Sequence, residues 1–193
     1  PTTYEYSMVL NAWSKDQSTE APQRAEQILS RMLKHFESGE LDTKPNCVSY
    51  TTVINCWAKS RQHGAANRAE SLLREMQDGY KTGDEVLRPD GITYSSVILA
   101  WSRSRQRESV SKAESLLNEM LSLAEAGDKK CAPGVRSYNY VLSAIATSRL
   151  PDDAYRAWRI IKAMKENGIS PDQFTRKAME KLTKGIEKSR GDR

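Results

Sequence analysis

Four short polar side chains, Ser7, Thr51, Ser95 and Asn139, stand 44 positions apart along a chain of 193 residues. Each carries hydrogen-bonding groups on a short arm, which suits recognition of a polar edge better than proton transfer. Three cations, Lys15, Lys59 and Arg103, keep the same step, with Thr147 in the fourth place. Their chemistry is the neutralisation of an anionic partner. Side chains that catalyse or hold metals are scarce. His35 and His63 are the only histidines, and neither has a carboxylate or cysteine partner at a useful spacing. Cys47, Cys56 and Cys131 are odd in number and form no CxxC pair, so neither a disulfide framework nor a zinc site is indicated. No Gly-rich phosphate loop precedes a helix, and no HxE…CxxC deaminase signature is present. The expectation is a binding module that is not an enzyme, with no metal, cofactor or small-molecule ligand.

The same step organises the whole chain. Tyr6, Tyr50, Tyr94 and Tyr138 follow it, as do Ala25, Ala69, Ala113 and Ala157. Met32, Met76, Met120 and Met164 follow it too, with Pro1, Pro45, Pro89 and Pro133. Trp13, Trp57 and Trp101 make another series, in which Ile145 is the fourth member. A fixed period of this length marks stacked units that bury their apolar faces only against their neighbours.

Within Cys47–Asp90, Val48, Tyr50, Val53, Ile54 and Trp57 fall at the spacings of an amphipathic helix, with Ser49 as its expected N-cap. Gly64 interrupts the pattern. A second stripe follows in Ala69, Leu72, Leu73 and Met76, where Glu70 and Arg74 form a favourable i,i+4 pair. Gly79 and Gly83 are expected to loosen the chain before Pro89-Asp90 closes the unit. The Tyr, Leu/Ile and Met series are read as core. The units run 3–46, 47–90, 91–134 and 135–172, and the last is six residues shorter. Residues 173–188 are read as a terminal helix covering the last apolar face. The predicted fold is all-α, a right-handed superhelical solenoid of four helix–turn–helix units with that capping helix.

Stretches such as KPNCVSYTTVINCWAKS, RPDGITYSSVILAWSRS and APGVRSYNYVLSAIATS resemble the start of pentatricopeptide (PPR) repeats. The later Ala-x-x-Leu-Leu-x-x-Met completes the likeness, which covers most of the chain. The units here are longer than that family's usual repeat, with three extra residues between the helices and six more at the end of the first three. The tetratricopeptide pattern fits less well.

The resemblance implies single-stranded RNA binding, one base per unit, read by two side chains. Those would be the residue after the Tyr and the last residue of the unit: Ser7 with Asn46, Thr51 with Asp90, Ser95 with Gly134, and Asn139 with Asp172. By the family's pairings these read adenine, guanine, an undiscriminated base and uracil, giving 5′-A-G-N-U-3′. The base would be clamped by the residue two before each Tyr: Tyr4, Val48, Ile92 and Arg136, with Phe174 in the terminal helix. Aromatic, aliphatic and guanidinium faces all suit stacking. Lys15, Lys59 and Arg103 would meet the phosphates, for a single-strand salt slope near ~2 in magnitude at ~0.7 per contact. The net charge of +5 agrees with a polyanionic partner.

Two alternatives use the same groove: a protein partner held by a tetratricopeptide-like scaffold, or RNA held for a catalytic domain elsewhere on a longer chain. The opening at Pro1, without an initiator Met or a signal-like stretch, reads as a piece of a longer protein. No apolar run approaches the ~20 residues of a membrane span. The resemblance places such proteins in mitochondria or plastids.

Overall fold

Each Pro-polar pair sets up a helix start: the proline fixes its own φ outside the helix, and the polar residue after it caps the first turn. A computed structural model describes residues 1–148, 150 and 152–180. Helix α1 spans Thr3–Lys15, α3 spans Cys47–Ser60 and α5 spans Gly91–Ser104. Their N-caps are Thr2, Asn46 and Asp90, all in extended backbone, and each is answered by the third helical residue in a capping box. Ser49 is therefore not the N-cap that its sequence position suggested. Asn46 caps α3 by accepting from the Ser49 amide at 3.1 Å, and Ser49 returns the contact from the third position. Helix α7, Val135–Ser148, follows Gly134, which has no side chain to cap with.

The second helices are α2 (Ala21–Glu37), α4 (Ala65–Lys81), α6 (Ser109–Glu125) and α8 (Asp153–Glu166). Their ends share one device. Gly39, Gly83, Gly127 and Gly168 take positive φ, and the next amide closes back five residues, as Asp84 does on the Gly79 carbonyl at 3.0 Å. Gly79 does not loosen the chain: it lies inside α4, where a Cβ would collide with Leu87 Cδ1. The six residues missing from the fourth unit are now accounted for. Helices α2, α4 and α6 have 17 residues where α8 has 14, and each is followed by a three-residue 3-10 turn: Leu41–Thr43, Glu85–Leu87 and Lys129–Cys131.

All described regular structure is helical, and neighbouring helices pack together. Helix α3 packs on α1, α2, α4 and α5, and α5 packs on α3, α4, α6 and α7. Tyr6, Tyr50, Tyr94 and Tyr138 are buried between them, with Leu72, Leu73, Leu116, Leu117 and the four register methionines. At roughly 1.5–3 kcal/mol for each large apolar side chain, this core is the main source of stability. Polar groups join the units as well. Trp57 Nε1 donates to Glu26 at 2.8 Å and Trp101 Nε1 donates to Glu70 at 2.9 Å, each reaching back 31 residues. The expected Glu70–Arg74 pair forms at 3.6 Å. Residues 173–180 are helical, and Ala178 packs against the core; the rest of the predicted terminal helix lies outside the described residues.

Candidate nucleic-acid interface

The first turns of α1, α3, α5 and α7 carry a series that does not go inside. Tyr4, Val48 and Ile92 are 73%, 62% and 66% exposed, and Phe174 is 73% exposed at the start of the terminal stretch. Arg136 is exposed in the same position of α7. Two residues further on, each Tyr is buried. Exposed side chains and core anchors thus alternate within one turn.

The expected base readers sit just inside this series. Ser95, Gly134, Ile92 and Arg136 line one cleft of about 800 Å³ together with Asp90 and Tyr140. The side chains expected to stack on the third base and the pair expected to read it therefore line one space. Gly134 leaves it open, since a Cβ there would meet nothing within 4 Å. In the fourth unit Asn139 Nδ2 donates to both oxygens of Asp172 at 3.0 Å. The Thr175 amide, followed by Asn139, holds the Asp172 carboxyl below the usual carboxylate range. Thr51 is buried, and its hydroxyl lies 2.7 Å from that of Thr93. Ser7 donates to the Thr3 carbonyl at 2.7 Å. Among the described residues no hydrogen bond joins Ser7 to Asn46 or Thr51 to Asp90.

A second regularity was not anticipated. Each reader from the second unit onward meets a hydroxyl of the next unit: Thr51 with Thr93, Ser95 with Ser137 at 2.8 Å, and Asn139 Oδ1 accepting from Thr175 at 2.7 Å. Thr93 and Ser137 immediately precede a register Tyr, so the period itself could have flagged them. These bonds fix the orientation of the three expected readers.

The cations gather elsewhere. Lys15, Lys59 and Arg103 line a cleft of about 590 Å³ near the C-terminal ends of α1 and α3, and Arg61 joins them. Lys59 Nζ donates to the Ser14 carbonyl at 3.0 Å, and Arg103 donates to the Ala58 carbonyl at 3.2 Å. Each thereby satisfies an unpaired carbonyl at the end of the preceding unit's first helix. Donors remain on both side chains. Burial, and then the like charge of Arg61, lowers the Arg103 guanidinium below its ordinary value.

His35 Nδ1 is 3.2 Å from the Tyr6 hydroxyl and, against the sequence expectation, 3.4 Å from a carboxylate oxygen of Glu40, which the turn after α2 brings back to it; both histidines line a separate cleft with Glu26 and Arg68. Among the described residues no three His, Cys, Asp or Glu side chains are grouped to hold a metal, and no helix is long and apolar enough to cross a membrane. No protein-family model matches the chain, and none of the curated proteins matches it.

Proposed function

We propose that this chain is a right-handed superhelical array of four PPR-like units that binds single-stranded RNA, one base per unit. The observation that carries the reading is the exposed series Tyr4, Val48, Ile92, Arg136 and Phe174, held at one place in successive units. Apolar side chains scattered singly over a surface need no explanation, but an ordered series beside polar readers is a row of stacking platforms. A core role is excluded for Tyr4, Val48, Ile92 and Phe174 by their exposure.

Each base is stacked between consecutive platforms and read by the pair beside it. Short hydroxyl and amide groups at a helix start reach a Watson–Crick edge, and the Asn or Asp of the pair supplies the discriminating partner. The third cleft, formed with Ser95 and Gly134, has the volume for a base and little to select one. The preferred sequence is 5′-A-G-N-U-3′. Four stacked bases at ~1–3 kcal/mol each, less the ordering of a flexible strand, give weak binding by this piece alone. The site of action that goes with this reading is a mitochondrion or plastid.

The test is fluorescence anisotropy at low salt with labelled RNAs carrying tandem AGNU, scrambled versions and poly-C. Preference for AGNU supports base reading. Equal, salt-sensitive binding to every RNA reduces the claim to a basic surface, and no binding at ~50 mM salt refutes it.

A further inference from the structure

The first helices α3 and α5 end on Arg61 and Arg105, both in left-handed backbone with φ of 55° and 56°. These are the described residues other than glycine that take positive φ, and they stand 44 apart. A Cβ makes that conformation unfavourable, and glycine adopts it freely. The chain has this solution available: it places Gly39, Gly83, Gly127 and Gly168 at positive φ after all four second helices. At the ends of α3 and α5 it keeps arginine instead, whereas α1 ends on Asp16 in extended backbone. Both side chains are exposed, and neither forms an ion pair or a side-chain hydrogen bond among the described residues. Arg61 lines the cationic cleft with Lys15, Lys59 and Arg103, where Asp16 is the one acidic side chain. Two of those cations already hold helix-end carbonyls. Arg149, outside the described residues, continues the series in the sequence.

We propose that Arg61 and Arg105 are phosphate-binding residues, forming a second cationic row beside Lys15, Lys59 and Arg103 along the RNA backbone. The inference rests on the RNA-binding reading and extends it. A guanidinium offers a fork of donors matched to phosphate oxygens, and among the described residues none of these donors is taken. The strained backbone is retained because the side chain is needed for the strand and not for the fold.

The consequence is quantitative. Three phosphate contacts give a single-strand salt slope near ~2 in magnitude, whereas five give about 3.5. The experiment titrates salt from about 50 to 300 mM with the full chain and two RNAs, one carrying AGNU and one scrambled. It compares the wild type with the Arg61→Asn/Arg105→Asn and Arg61→Lys/Arg105→Lys pairs, because asparagine tolerates left-handed backbone and lysine keeps the charge. The Asn pair is expected to drop the slope by about 1.4 and weaken both RNAs equally, by roughly 8-fold per arginine at ~50 mM salt. Its urea midpoint should stay level or rise, and the Lys pair should keep most of the slope. An unchanged slope in the Asn pair overturns the inference while leaving base reading intact. So does a loss confined to one RNA, or one that follows a lowered midpoint. A wild type that binds neither RNA overturns both readings.

Discussion

Asn139 Nδ2 donates to both carboxylate oxygens of Asp172, each at 3.0 Å, so the two side chains expected to read the fourth base already touch. The contact orients the amide of Asn139 and leaves its carbonyl to Thr175. The Asp172 carboxyl is held below its ordinary range, first by the Thr175 amide. A carboxyl lowered on folding contributes stability that is present above its unfolded pKa, near ~3.9, and is lost as pH falls through the lower folded value. Discrimination of uracil from cytosine at the fourth base should therefore be flat between about pH 5 and 8. Asp172→Ser should shift it towards cytosine, as measured by anisotropy with single-base variants.

The Trp101 indole is fully buried, and its N–H has Glu70 as acceptor. Glu70→Ala strands that donor and also releases Lys112. Removing one partner of a buried hydrogen bond costs about 1–3 kcal/mol. A urea-unfolding free energy lowered by that amount is expected. Glu26→Ala should cost less, because Trp57 is only partly buried.

Two tyrosines in the same register should respond in opposite directions. Tyr94 OH donates to Glu119 at 2.9 Å and accepts from Gln77 at 2.7 Å. Tyr138 OH is buried without a partner among the described residues, because Ala163 stands one step after Glu119. Tyr94→Phe should destabilise by roughly 1 kcal/mol or more, whereas Tyr138→Phe removes an unsatisfied hydroxyl and should leave stability level or raised. Thermal unfolding of the two variants checks the sign.

Thiol reactivity gives a probe of the fold. Burial pushes Cys56 up to about 11 and Cys131 up to about 12, while Cys47 is only partly buried. The thiolate is the reactive form. At pH near ~8 a disulfide reagent should modify Cys47 in the native chain, and Cys56 and Cys131 only after unfolding.

Much of this was legible because period and helical spacing act together. The buried Tyr series and the exposed series two residues before it differ by 200° around a helix, so one register predicts both. The helix starts were legible from the Pro-polar pairs, but the choice between Asn46 and Ser49 as cap was not. Both residue types cap, and a capping box uses both. The Thr51–Thr93 and Ser95–Ser137 contacts join residues 42 apart, so they depend on how successive helices face each other. Left-handed backbone at Arg61 and Arg105 carries no residue signal at all, since arginine is not a residue that announces positive φ. Each six-residue extension lengthens the second helix by three residues and adds a three-residue 3-10 turn, a division that residue counting along the sequence does not set.

The central claim is that a pair of side chains in each unit chooses one base. Position 51 can take a longer reader, because Asn139 occupies the same place in the fourth unit with a next-unit hydroxyl on its Oδ1. The most direct test is therefore anisotropy of the Thr51→Asn/Asp90→Ser chain against RNAs with each of the four bases at the second position. The account predicts that guanine preference is lost and cytosine becomes the favoured base, with the other positions unchanged. Guanine preference that survives the exchange, or an equal loss of binding to all four RNAs, would contradict it.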